Sequence, residues 1–284
     1  MVFQTHKNLS THIESLKNEN LKIGFVPTMG ALHAGHISLM KEAANSNDIL
    51  VVSIFVNPTQ FENANDLNKY PRTVENDTRL IYEHFGETQV VIYTPNVKDI
   101  YGDNAVAKSY RYDGLEHVME GANRPGHFDG VGTILEFLFL KTQPDYAYFG
   151  EKDFQQLQIV KKLVEKLQLP IKIIGCPIKR ESHGLAMSSR NERLSPNARK
   201  EAAFIIKSLE KAKAYFNNHS INQTISMVQN LYHENQNLEL EYFTIASEET
   251  LVPVKRKYRK HTYRAFIVAH IEGVRLIDNM RLSQ

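Results

Sequence analysis

Five short apolar runs, Lys22 to Pro27, Asp48 to Val56, Gln89 to Tyr93, Asp145 to Phe149 and Ile171 to Cys176, punctuate the first 178 residues. Runs of this length, apolar on successive residues, predict strands buried on both faces. Amphipathic helical patterns separate most of them. That rhythm of strand, helix and strand implies a parallel sheet covered on both sides, an α/β fold. Ligands in such folds settle outside the carboxyl ends of the strands, so chemistry is expected just after each run.

After about residue 178 the pattern changes. A polar loop spans Lys179 to Ser195, helices are predicted from Pro196 to Phe216 and from Ile221 to Glu234, and Leu238 to Ala246, Tyr263 to Ile271 and Val274 to Asn279 alternate as antiparallel strands do. The sequence therefore predicts two domains, residues 1–178 with the parallel sheet and residues 179–284 as a smaller α+β domain. A chain of 284 residues with 42% hydrophobic content can bury a core in each. Lys and Arg number 34 against 32 Asp and Glu, so no global field favours nucleic acid or a membrane surface. The single cysteine, Cys176, cannot form an internal disulfide. The amino terminus lacks a signal-like apolar run and no stretch is apolar enough for a membrane span. A cytoplasmic protein is expected.

The first strand leads into Pro27-Thr28-Met29-Gly30-Ala31-Leu32-His33-Ala34-Gly35-His36, followed by an amphipathic helix carrying Ile37, Leu39, Met40, Ala43 and Ala44. Backbone amides at such a helix start attract phosphate. The spacing of His33 and His36 lets both imidazoles face one anion, with Gly35 allowing close backbone approach. The plainer alternative is that the histidines cap the helix. The pattern resembles the HxGH signature of the nucleotidyltransferase-like superfamily, whose members attack the α-phosphorus of ATP.

Gly184-Leu185-Ala186-Met187-Ser188-Ser189-Arg190-Asn191 follows the last run and resembles the KMSKS loop of the same superfamily. Two hydroxyls and a guanidinium can grip a leaving pyrophosphate through charge-assisted hydrogen bonds. A run of this composition also serves as an ordinary cap, and Ser195-Pro196 nearby suits a helix start. Between the two motifs, Gln60 follows the second run and Gly150-Glu151-Lys152-Asp153-Phe154-Gln155-Gln156 follows the fourth. Gln60 and Gln156 are neutral and can bind hydroxyls or a carboxylate without blunting its nucleophilicity, whereas Lys152 suits a phosphate gathering charge. Each glutamine could instead be a surface side chain.

Taken in order, residues 27–36, 56–61 (VNPTQF), 70–73 (YPRT), 124–131 (RPGHFDGV), 149–156 (FGEKDFQQ), 187–191 (MSSRN) and 275–279 (RLIDN) resemble the pantothenate synthetase family, the pantoate–β-alanine ligases. The resemblance covers nearly the whole chain. It implies a Rossmann-like amino-terminal domain, a carboxyl-terminal lid, ATP with Mg²⁺, and a homodimer joined through the first domain. The implied reaction condenses pantoate with β-alanine through a pantoyl adenylate, giving pantothenate, AMP and pyrophosphate. Carried over, the ATP site falls on Met29, Gly30, Ala31, Leu32, His33, Ala34, Gly35 and His36, on Gly150, Glu151, Lys152 and Asp153, near Lys179, and on Met187, Ser188, Ser189 and Arg190. His36, His33, Lys152 and Arg190 carry the catalytic roles. Gln60 and Gln156 take the pantoate positions, and Asn57, Tyr70, Arg124 and His127 line the cleft. His183 stands where the family pattern leads one to expect aspartate, which bears on the loop's geometry. Asp77 is a candidate contact for Mg²⁺, although no metal-ligand cluster is expected from the sequence.

Two rivals remain at this level. An HxGH nucleotidyltransferase acting on another small acceptor would share the first motif. The basic run Lys255-Arg256-Lys257-Tyr258-Arg259-Lys260 could mark a nucleic-acid-binding module, although a solvated connection between strands explains it and no nucleic-acid partner is expected.

Overall fold

The computed structural model describes residues 1–61 and 64–282. The chain divides into two compact units, Met1–Glu151 with Gln155–Pro177, and Lys152–Phe154 with Ile178–Gln284.

The first unit contains β1 (Val2–Phe3), α1 (His6–Asn18), β2 (Ile23–Thr28), α2 (Ala34–Ser46), β3 (Ile49–Ile54), α3 (Ala64–Lys69), α4 (Val74–Phe85), β4 (Val90–Tyr93), α5 (Val97–Tyr101), α6 (Met119–Asn123), α7 (His127–Thr142), β5 (Tyr146–Gly150), α8 (Phe154–Lys166) and β6 (Lys172–Cys176). The first residue of α8, Phe154, belongs to the second unit. Six strands form one sheet in the order β1-β4-β3-β2-β5-β6, and every pairing is parallel. All five expected runs are strands. β1 went unread because two residues cannot display a period; it is fixed by pairing Val2 with Ile92 and Phe3 with Tyr93, and by the terminal ammonium donating to the Val90 carbonyl at 3.0 Å.

The winding direction reverses between β2 and β5, which makes their carboxyl ends the topological switch point. β2 pairs with β5 only at Gly24 and Phe25, whereas its ladder to β3 runs on to Thr28. Pro27, which cannot donate to a ladder, lies beyond the last β5 partner. The two strands thus part where a ligand crevice forms in this class of sheet. Beneath it, Val26, Met40, Leu50, Val52, Ile81 and Ile92 form part of a buried core.

The second unit contains α9 (Pro196–Glu201), α10 (Phe204–Phe216), α11 (Ile221–His233), β7 (Glu239–Ser247), β8 (Tyr263–Ile271) and β9 (Val274–Arg281). The strands form an antiparallel sheet in the order β7-β8-β9. The expected single helix from Pro196 to Phe216 is two helices. At the join Ala203 N–H bonds the Lys200 carbonyl and Ile205 N–H the Ala202 carbonyl, a tightening to i→i−3 that buries Ala202 and Ala203. Apolar periodicity runs through such a step without registering it. On β8 the alternate residues Tyr263, Ala265, Ile267, Ala269 and Ile271 join the core under α10 and α11.

The opposite face of that sheet holds a charge network in which Glu248 and Arg264 are buried and Arg281 is exposed. Glu248 accepts from Arg264 Nε at 2.7 Å and from Arg281 Nε at 2.9 Å, and Arg264 lies over the Phe154 ring at 3.8 Å. Burial alone would raise the Glu248 carboxyl, but hydrogen bonds and charge from Arg281 and Arg264 outweigh it and hold the group below its ordinary value. A lowered carboxyl contributes stability at neutral pH and loses it as pH falls through the depressed titration. Glu248→Ala leaves Arg264 buried beside an absent partner, and its unfolding free energy in urea should drop by about 3–5 kcal/mol. The double variant Glu248→Ala/Arg264→Met should recover most of that loss.

Among the described residues no helix is long and apolar enough to cross a membrane. The basic run 255–260 lies in the connection between β7 and β8, mostly exposed, with Lys257 packed over the Phe216 ring at 3.8 Å.

Candidate active site

At the exit of β2 the chain turns through two left-handed residues, Gly30 at φ +83° and Ala31 at φ +51°. Asp77, from the first turn of α4 and 3% exposed, holds this turn: one carboxylate oxygen accepts from Ala31 N–H at 3.0 Å, the other from Leu32 N–H at 2.8 Å. Thr73 Oγ1 donates to the same carboxylate at 3.1 Å. A Cβ on Gly30 would lie 2.9 Å from Asp77 Oδ2, so the residue must be glycine for space as well as for φ. Asp77 is the expected candidate for a magnesium contact; its carboxylate is engaged by two loop amides and by the Thr73 hydroxyl at the start of α4.

His33 is the N-cap of α2 and forms a reciprocal capping box with His36. Gly35 N–H donates to His33 Nδ1 at 3.1 Å, and His33 N–H donates to His36 Nδ1 at 3.3 Å. The capping alternative is therefore true, and it has a chemical consequence. Because each Nδ1 accepts, each neutral ring must carry its proton on Nε2. The rings lie 4.2 Å apart, centroid to centroid, which makes a paired donor set from two adjacent imidazoles. The amides of Gly30, Ala31, Leu32, His33 and Gly35 are all engaged within the loop, to Thr28 Oγ1, Asp77, His36 and His33. The expectation that this helix start offers its amides to phosphate narrows accordingly, and the weight shifts to the imidazoles.

At the exit of β3, Gln60 is half-buried. Its backbone carbonyl oxygen accepts from His127 Nδ1 at 2.9 Å and from Arg124 Nη2 at 3.4 Å. A carbonyl only accepts, so His127 is protonated on Nδ1, and Arg124 Nη1 donates to its Nε2 at 3.1 Å. Asn57, 1% exposed, donates to Gln60 Oε1 at 3.1 Å, and Gln60 Nε2 lies 3.1 Å from Met29 Sδ. Asn57, Arg124, His127 and Met29 are thus gathered around Gln60. Gly130 of α7 permits this packing, since a Cβ there would collide with the Thr59 carbonyl. Tyr70 stacks edge-on against Phe61 with centroids 5.7 Å apart.

At the exit of β5 the motif divides. Gly150 and Glu151 belong to the first unit. Gln155 is a strut, donating to the Leu115 and Val118 carbonyls at 2.8 Å each, while its neighbour Gln156 is half-buried. Lys152 and Asp153 belong to the second unit, with their charged ends 3.6 Å apart. There Asn279 of the RLIDN motif donates to the Lys152 carbonyl at 2.9 Å, and Arg264 donates to Asn279 Oδ1 at 2.6 Å. The RLIDN motif, carrying no assigned role in the sequence, thus holds the backbone of Lys152 through Asn279. Cys176, ending β6, is buried; burial, aided by Glu42 and Glu151, pushes its thiol up to about 11, which leaves it protonated and poorly nucleophilic at neutral pH.

The loop from Lys179 to Arg190 folds back on itself. Met187 N–H bonds the Lys179 carbonyl at 2.9 Å, Arg180 bridges to Ala186, and Arg180 forms a two-point ion pair with Asp278 at 2.6 and 3.0 Å. Ser188 caps the short 3₁₀ turn Ser189–Arg193 by accepting from Arg190 N–H. Here too the cap alternative is observed, and it holds Ser189 and Arg190 at a defined turn. His183, the departure from the family pattern, bonds the Arg199 carbonyl at 2.8 Å through Nε2, so the loop closes with histidine in place. Among the described residues no group of three or more His, Cys, Asp or Glu is placed to hold a metal ion.

Comparison with known proteins places the chain in a family. Residues 1–281 match the family model described as pantoate–β-alanine ligase. The chain is 50% identical over 282 residues to a protein named pantothenate synthetase from Christiangramia forsetii, covering 99% of both. It is also 50% identical to one of the same name from Flavobacterium psychrophilum, over the full length of both. Among solved structures, a pantothenate synthetase from Thermus thermophilus superposes with a TM-score of 0.89 at 34% identity, covering 100% of this chain and 99% of that one. A pantoate–β-alanine ligase from Francisella tularensis, in complex with β,γ-ATP and β-alanine, superposes at 0.76 and 33% identity, covering 100% and 98%. Matched by the family model over residues 1–281 and 50% identical to relatives along its length, this chain belongs to the pantoate–β-alanine ligase family.

Proposed function

We infer that this chain joins pantoate to β-alanine at the expense of ATP, releasing AMP and pyrophosphate. The observation that carries the reading is the His33–His36 pair at the β2 exit, set as two Nε2 donors in a chain that matches the ligase family over its length. Transfer of a nucleotide to a different acceptor is not favoured by that match.

In this reading residues 1–178 bind ATP and pantoate and residues 179–284 act as a lid. Gln60 and Gln156 hold pantoate with its carboxylate facing the α-phosphorus. One carboxylate oxygen bonds to phosphorus while the bond to pyrophosphate breaks. His33, His36, Lys152, Ser188, Ser189 and Arg190 stabilise the charge that gathers on the phosphates. The uncharged amine of β-alanine then attacks the acyl carbon of the adenylate, loses a proton and expels AMP. No covalent enzyme intermediate is required, which accords with a protonated, buried Cys176. Magnesium would enter with the triphosphate, held largely by phosphate oxygens and water, while Asp77 is engaged by the Ala31 and Leu32 amides. When bound it would neutralise phosphate charge. We place the enzyme in the cytoplasm as a homodimer joined through the first domain.

The test is product analysis with ATP, Mg²⁺ and pantoate, with and without β-alanine. Labelled pyrophosphate should exchange into ATP without the amine, and AMP release should require it. Absence of exchange at saturating pantoate, together with AMP release independent of β-alanine, would refute the two-step order.

A further inference from the structure

Gln60 can face a ligand with its carbonyl or with its NH₂, and buried groups behind it decide which. The chain of reasoning starts at the Gly130 carbonyl oxygen, which can only accept. It lies 3.1 Å from Asn57 Nδ2, so the nitrogen of Asn57 must point that way. The second proton on that nitrogen goes to Gln60 Oε1 at 3.1 Å. Gln60 therefore has its oxygen turned to Asn57 and its NH₂ turned away from it, with Nε2 3.1 Å from Met29 Sδ and a second proton left for a ligand. Asn57 Oδ1, facing the other side, is held by the Tyr101 hydroxyl at 2.6 Å and the Thr59 hydroxyl at 3.1 Å.

Tyr101 closes α5, in a stretch to which neither the sequence motifs nor the family resemblance gives a role. Burial raises its phenol, against the lowering effect of its bonds to Thr59 and Asn57, so it stays a neutral donor at physiological pH. Without that donor, Asn57 Oδ1 retains only the longer Thr59 contact, and the amide can tilt away from Gln60.

We propose that Tyr101 is a positioning residue for pantoate: through Asn57 it keeps the NH₂ of Gln60, and not its carbonyl, directed at the bound acid. Donors are what a carboxylate and hydroxyl oxygens require, and a carbonyl turned outward would repel the former. The inference rests on Gln60 contacting pantoate.

The experiment is steady-state kinetics of Tyr101→Phe, Gln60→Ala and the double variant at saturating ATP and β-alanine, with thermal melts of each. Loss of one buried hydrogen bond corresponds to about a three- to tenfold effect. Tyr101→Phe should raise KM for pantoate by that factor, leave KM for ATP within about twofold, and add little in the Gln60→Ala background. An unchanged pantoate KM in Tyr101→Phe, or an effect of full size that persists in the double variant, would overturn the proposal. An unchanged pantoate KM in Gln60→Ala would instead overturn the placement of pantoate, so the two failures are distinct. If Tyr101→Phe does not fold, Asn57→Asp, which reverses the polarity presented to Gln60, should show the same split between the two substrates, and equal effects on both would count against the relay.

Discussion

His36→Ala and Lys152→Ala should each slow pantoate-dependent exchange of pyrophosphate into ATP by about 10²- to 10³-fold, the usual cost of removing one preorganised donor to a developing anion. The two residues reach that role differently. His36 is oriented by the backbone, since its Nδ1 accepts from His33 N–H and its Nε2 must then carry the proton. Lys152 is oriented through its own carbonyl, which Asn279 holds from β9. Neither side chain fills a core. His36→Ala gives up one member of a capping box, about 0.5–2 kcal/mol, so circular dichroism and the melting transition should remain close to those of the parent. Near-normal turnover of either variant at saturating ATP would remove that residue from the transition state.

Asp77→Ala should be the more damaging change, because it strikes stability and catalysis together. Its carboxylate satisfies two backbone donors in a turn where Ala31 occupies the left-handed region, a conformation costing about 1–2 kcal/mol for a residue with a Cβ. Each donor left unsatisfied adds about 1–3 kcal/mol. The turn should relax, and with it the entry into α2 on which both histidines depend. A lowered urea midpoint and exchange reduced at least as far as in His36→Ala are expected. Asp77→Asn, which keeps one accepting oxygen, should fall between. The competing role as a magnesium contact makes a different prediction: excess Mg²⁺ would restore exchange in Asp77→Ala without restoring its stability. Rescue of that kind would displace the structural account.

These two sites mark how far residues alone could be read. The parallel sheet was legible because strands buried on both faces need continuous apolar runs, and each of the five long enough to display one is a strand. β1 is defined by its partner, and a two-residue segment has no period of its own. The β8 face under the helices was likewise visible as alternation, whereas the buried Glu248–Arg264 pair and its bond to Arg281 on the other face read only as scattered charge.

By itself the sequence determined the class of fold, the positions of the motifs at the strand exits and the family, because those depend on local periodicity and on residue types at fixed spacing. Only the tertiary structure decided what each polar group faces. It assigned Asp77 to a loop, Asn57, Arg124 and His127 to the support of Gln60, Gln155 to a strut beside the half-buried Gln156, and Asn279 to the Lys152 carbonyl. The physical reason is that a hydrogen bond's direction is set by its partner. Partners 46, 73 or 127 residues away in the chain leave no mark on the local pattern.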